Sequence, residues 1–110
     1  MYNCTKCEKP LDIKKRFIGS HIMQDDKQYI LAFCKPCRMY QLIIDMDVEL
    51  SYASNHFVFA VCLLEEEAEA LSSIMSDTTN PNSEKRLRQF DESNKKRRII
   101  IEDEYYDFWY

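Results

Sequence analysis

Four of the five cysteines fall into two pairs, Cys4-Thr5-Lys6-Cys7 and Cys34-Lys35-Pro36-Cys37, with 26 residues between them. Two residues between cysteines let a tight turn aim both thiolates at one ion. Two such turns complete the tetrahedron that Zn²⁺ accepts without geometric preference of its own. The chain opens Met1-Tyr2-Asn3-Cys4, with no basic-then-apolar leader, which predicts an intracellular protein. In that setting the two pairs read as metal ligands rather than a disulfide framework. Iron takes the same four ligands, and zinc is the commoner occupant. Cys34-Lys35-Pro36-Cys37 also matches a CxPC redox motif, but that chemistry needs a strand-to-helix junction, and the residues from Arg38 onward read as a strand. Cys62 lies in the apolar run Phe57–Leu64 and reads as a buried small hydrophobe. His21 and His56 are isolated and read as structural.

Elements that position these residues follow from periodicity. Ile13 to Ile18 is a candidate strand, and Gln24-Asp25-Asp26-Lys27 marks a turn or loop. Tyr29 to Phe33 alternates and leads into Cys34 as a strand, so a β-hairpin fills the gap between the cysteine pairs. After Cys37, apolar or aromatic residues occupy every even position from Tyr40 to Tyr52, against Gln41, Ile43, Asp45, Asp47, Glu49 and Ser51. Period two predicts a long half-buried strand with an acidic outer face. Phe57, Val61, Leu64, Ala68, Leu71 and Met75 then follow a heptad-like stripe. The spacing predicts one amphipathic helix over 53–76, although Phe57–Leu64 alone reads equally as a buried strand. The stripe either packs on the long strand or serves as a homodimer face through 57–75. Residues 77–83 read as a linker. Ser83 is placed to cap a second, charged helix running to about Arg98, supported by Glu84–Arg88, Asp91–Lys95 and Glu92–Lys96 at i,i+4. Ile99-Ile100-Ile101 reads as a short strand joining the sheet, followed by an acidic aromatic tail.

The knuckles resemble those of zinc-ribbon proteins, in which two cysteine turns are clamped by a small antiparallel sheet. Such knuckles often read C-P-x-C-G, the Gly supplying a positive φ after the second ligand; Glu8 and Arg38 stand in that place here. The resemblance spans about residues 1–52. It implies bound Zn²⁺ held by Cys4, Cys7, Cys34 and Cys37, but no particular function. The expected fold is α+β: a zinc-ribbon-like β module over 1–52, then the helix over 53–76, the linker, and a charged helix with its tail over 84–110.

The 110 residues fit one domain, and 13% aromatic content is too high for a disordered chain. A single Gly excludes the Gly-rich loops of Rossmann and P-loop sites. No apolar run approaches the ~18 residues of a membrane span. Charge alternates in blocks. Residues 1–50 hold eight basic and seven acidic residues, 51–80 five acidic and no basic, 81–98 seven basic and three acidic, and 99–110 four acidic. A uniformly basic nucleic-acid surface is therefore absent. No nucleophile is paired with a base, so a non-catalytic protein is expected. The run Lys95-Lys96-Arg97-Arg98 and the tail residues Tyr105, Tyr106, Phe108, Trp109 and Tyr110 are the candidate partner-binding residues, because aromatics supply anchor area at low entropy cost. Small chains of this kind resemble viral or phage accessory proteins that modulate nucleic-acid enzymes, and small transcription-associated zinc ribbons. The expected partner is a larger protein complex rather than a membrane. A direct nucleic-acid binder, using Lys14, Lys15, Arg16 and Lys95 to Arg98, is the alternative.

Overall fold

A computed structural model describes residues 2–19, 25–49, 53–77 and 79–107. Its element order is β1 (Asp12–Ile18), β2 (Asp25–Cys34), β3 (Met39–Glu49), β4 (Ala53–Leu63), α1 (Glu65–Ser76), α2 (Ser83–Ser93), a 3₁₀ turn (Lys95–Arg97) and β5 (Ile99–Asp107). The five strands form one antiparallel sheet in sequence order, with β1 and β5 at its edges. The fold is α+β. The β1–β2 hairpin fills the gap between the cysteine pairs, as the sequence predicts.

Both faces of the sheet are covered. On one face, Phe17, Tyr29, Leu31, Leu42, Ile44, Val61 and Leu63 pack against Ala68, Leu71 and Met75 of α1 and Leu87 of α2. On the other, Ile30, Ala32, Ile43, Val58 and Ala60 pack against Leu11, Cys4 and Cys34. The alternation of β3 holds: Leu42 and Ile44 face the helices. Its odd face is not wholly an acidic outer surface, however, because Gln41 and Ile43 are fully buried under the N-terminal knuckle. Only from Asp45 does that face open toward solvent. The alternation beyond Glu49, at Leu50 and Tyr52, lies outside the described residues.

A single helix over 53–76 does not form. Residues Ala53–Leu63 are strand β4, paired along β3 from Glu49↔Ser54 to Tyr40↔Leu63, and the helix begins only at Glu65. Phe57, Phe59, Val61 and Leu63 satisfy period two as well as a stripe at steps of four and three. The open edge of β3 decides between these readings, since β-branched and aromatic residues suit the paired strand. The stripe is thereby split. Val61 is buried on β4, Ala68, Leu71 and Met75 are buried on the inner face of α1, and Leu64 between them is exposed. Three glutamates form the first turn of α1, where carboxylates stabilise the positive end of the helix dipole, and Glu67 Oε1 accepts the Leu64 N–H at 2.9 Å. That acidic first turn was the sequence signal for the boundary.

Helix α2 ends at Ser93 and is anchored, not merely solvated. Leu87 is fully buried, Phe90 packs on the core, and the Ser83 hydroxyl donates to the Asp77 carbonyl at 2.7 Å. Glu84–Arg88 forms as an i,i+4 ion pair, whereas Lys95 pairs with Glu92 and Asp91 pairs elsewhere. The Asp91 carboxylate is fully buried. It accepts Arg98 through both oxygens, at 2.8 Å from Nε and 2.5 Å from Nη2, and Lys27 Nζ lies 3.7 Å away. The Arg98 guanidinium also lies over the Phe59 ring, 4.8 Å from its centroid. Removing one partner of such a pair strands the other charge. Asp91→Ala is expected to destabilise the fold by about 3 kcal/mol, more than an exposed pair is worth, as read by denaturant unfolding.

Arg97 makes a second tether, from the 3₁₀ turn to α1. Its guanidinium donates to Glu67 at 2.7 and 2.8 Å and to the Cys62 carbonyl at 2.6 Å. Hydrogen bonding from Arg97, opposed by burial and helped by the Leu64 N–H, holds the Glu67 carboxyl down at about 2. A carboxyl whose folded value lies below its unfolded one adds stability above its ordinary range, near 4.5, and loses it as pH falls toward about 2. Arg97 is partly solvated, so the contribution is about 1 kcal/mol or less. Glu67→Gln is expected to flatten the pH 2–5 part of the stability profile and leave neutral stability lower by that amount, measured by urea unfolding across pH.

Candidate metal centre

Each knuckle is a local product of its sequence. The first begins at Asn3, which bridges to Pro10, and closes with the Cys4 N–H on the Lys9 carbonyl at 2.8 Å and the Glu8 N–H on the Cys4 carbonyl at 3.0 Å. The second is the turn that joins β2 to β3: Cys34 ends one strand, and Cys34↔Met39 is the last ladder pair. The Arg38 N–H closes this turn on the Lys35 carbonyl at 3.3 Å. Glu8 and Arg38 both adopt left-handed backbone, with φ of 63° and 51°. These are the two positions where zinc-ribbon knuckles place glycine. The knuckle geometry thus forms with side chains in place, at a cost on the order of 1–2 kcal/mol each.

The sulfurs of Cys4, Cys7, Cys34 and Cys37 all lie within 4.8 Å of one another. Cys7 and Cys34 are 3.4 Å apart and Cys4 and Cys37 3.9 Å. A tetrahedron of thiolates at 2.3 Å from zinc has edges of about 3.8 Å, so the cage has the right size for a metal ion, whereas disulfide bonding requires about 2.05 Å. Cys4 and Cys34 are buried and Cys7 and Cys37 half-buried. Burial opposes ionisation of Cys4, yet the backbone N–H groups of Cys7 and Lys6 and the thiols of Cys34 and Cys7 hold it down at about 6. Burial pushes the Cys34 thiol up, and hydrogen bonding to Cys34 and Cys7 pushes Cys37 up to about 12. One thiolate forms readily, and Cys34 and Cys37 resist adding further negative charge without a cation beside them.

Gln41 was missed by the sequence reading, which placed it on an outer face. Its Nε2 donates to Cys4 Sγ at 3.1 Å from a fully buried position, and the Lys6 N–H approaches the same sulfur at 3.4 Å. The signal was present on β3, where Gln41 and Ile43 precede the acids that begin at Asp45. Cys62 is half-buried rather than buried and stays outside the cluster, 3.9 Å from the Thr5 hydroxyl. His56 is not isolated: its Nε2 lies 2.9 Å from Asp45 and its Nδ1 3.2 Å from Asp47, while the Tyr2 hydroxyl donates to Asp45. His21 lies outside the described residues.

No family profile, curated protein or solved structure matches this chain. The clustered sulfurs alone define the centre's geometry. That geometry removes the context for CxPC redox chemistry, because Cys34 and Cys37 join two strands rather than opening a helix. Of the candidate partner-binding residues, Arg97 and Arg98 are committed to Glu67 and Asp91. Lys95 pairs with Glu92, and Lys96 is exposed. Tyr105 and Tyr106 lie on β5, opposite Asn55 and Ser54. Phe108, Trp109 and Tyr110 lie outside the described residues.

The Gln41 hydrogen bond orients Cys4 and stabilises its charge. Gln41→Met, which keeps the volume but removes the donor, is expected to weaken metal affinity on the order of tenfold, as measured by competition with a chromophoric chelator.

Proposed function

We propose that the protein is a non-catalytic zinc-binding module that docks on a larger nucleic-acid-processing or transcription machine, in the manner of a viral or phage accessory factor. The observation that supports the zinc-binding part of this reading is the four-thiol cage at the end of the β2–β3 ladder, to which both knuckles contribute. Zinc is the proposed occupant because four thiolates at tetrahedral spacing are its structural ligand set. Four protein ligands leave no open position for water, which argues against metal-assisted hydrolysis. The ion replaces part of the core that a 110-residue chain is short of, and its binding energy becomes folding energy.

Docking is assigned to the acidic aromatic tail that carries Tyr105, Tyr106, Phe108, Trp109 and Tyr110, together with Lys95 and Lys96, which are exposed. The internal commitment of Arg97 and Arg98 favours this reading over direct nucleic-acid binding, since it removes two of the four cations from that run. Purified protein is expected to contain close to one zinc per chain by elemental analysis. Cys34→Ser with Cys37→Ser is expected to lose the metal and the cooperative melt; full metal retention in that variant overturns the site. Duplex and single-stranded oligonucleotides are expected to show no binding at physiological salt, whereas a steep salt-dependent affinity supports the nucleic-acid reading instead.

A further inference from the structure

Among the described residues the exposed large apolar side chains are Ile13, Ile18, Leu64, Ile99, Ile100 and Ile101. All but Leu64 belong to β1 or β5. These are the two edge strands of the sheet, and each has one backbone side that no described strand pairs with. Exposed isoleucines beside an unpaired edge favour addition of a further strand.

The two edges differ in charge. β1 carries Lys14, Lys15 and Arg16 at its centre against a single acid, Asp12, which pairs with Lys14 at 2.8 Å. Lys15 and Arg16 donate only to the neutral side chains of Ser76 and Gln28, so β1 keeps a net positive charge. β5 carries Glu102, Asp103 and Glu104 at its centre, with Asp107 beyond, and no base. Charges on edge strands ordinarily prevent sheet-to-sheet pairing, and like charges placed opposite one another are destabilising. Here they disfavour β1 on β1 and β5 on β5, while the basic centre of β1 complements the acidic centre of β5 in either strand direction. Both edges are irregular, with register shifts between Ile13 and Lys15 on β1 and between Val58 and Phe59 opposite β5. The stretches Lys15–Ile18 and Glu102–Asp107 are regularly paired with their inner neighbours.

We infer that β1 of one chain pairs with β5 of a second copy, continuing the sheet head to tail. The occupant of each edge is another copy because the chain itself carries the complementary strand in its own sheet, on the far edge, where it cannot reach intramolecularly. A strand pair of seven residues, the length of β1, is a small contact, so the association is concentration-dependent and, resting on opposite charge, sensitive to salt. It is heterologous and propagates unless the twist of the sheet closes it.

Sedimentation velocity of the zinc-loaded protein alone, with no partner present, tests this independently of the docking reading. The weight-average sedimentation coefficient is expected to rise with protein concentration at low salt and to return to the monomer value at high salt. Reversing β1 (Lys14→Glu, Lys15→Glu, Arg16→Glu) or β5 (Glu102→Lys, Asp103→Lys, Glu104→Lys) is expected to give monomers singly, and an equimolar mixture of the two is expected to associate. The unmodified protein supplies the salt series even where a reversed variant fails to fold. A monomer at every concentration in low salt overturns the inference. So does association that survives high salt or persists in both single reversals, which would place the contact on another face.

Discussion

Cys34 and Cys37 flank the turn that closes β2 onto β3, so the register of this hairpin and the position of half the metal cage are one constraint. Sliding β3 by one residue would exchange Leu42 and Ile44 with Gln41 and Ile43 across the sheet. Two separate cores exclude that slip: the helices cover the even residues, while the N-terminal knuckle covers the odd ones. The first knuckle is then brought beneath the second by the β1–β2 hairpin. Gln41 joins the two levels, because it can donate to Cys4 only in the register that places Leu42 under the helices.

The charged C-terminal third is arranged by the same economy of core. A run of four cations after a helix invites a reading as an interaction patch, yet two of the four are committed to partners within the chain. Arg97 clasps Glu67 and the end of β4, and Arg98 neutralises the buried Asp91 while lying over Phe59. Arginine suits both positions because its planar fork serves two acceptors at once. These clasps deliver the chain from the helical face back to the sheet edge, where Ile99 pairs with Ala60 and β5 begins.

Legibility followed the range of the interactions. The four clustered cysteines, the hairpin between them and most of strands β1 to β3 were readable, since cysteine spacing and period-two alternation are local signals. The exception is Asp25-Asp26-Lys27, read as part of a turn or loop, which opens β2 and pairs with β3. The β4–α1 boundary was not. Phe57, Phe59, Val61 and Leu63 fit both periods, and the partner that selects the strand, β3, lies outside any local window. The role of Gln41 was only partly legible, because the knuckle that covers it is built by the first eleven residues, whose path a strand pattern does not reveal. The Asp45–His56–Asp47 contacts were not legible, because His56 stands opposite Asp47 only once β4 pairs with β3. The commitments of Arg97 and Arg98 depend on α1 and α2 returning to the same end of the sheet. Phe108, Trp109 and Tyr110 lie outside the described residues.

The cage sits at one end of the β2–β3 ladder, and this gives the sheet a direction. Near Cys34↔Met39, separating the strands means pulling ligands from a shared cage. At the other end, near Asp25↔Val48, no comparable cross-link is seen among the described residues. With a metal in the cage, local opening would run from that end inward and stop short of the knuckle, and amide protons of one strand would exchange with solvent at graded rates along its length. A metal held at one end of the sheet would act less as a uniform brace than as a hinge pin, leaving the far margin free to open without releasing the ion.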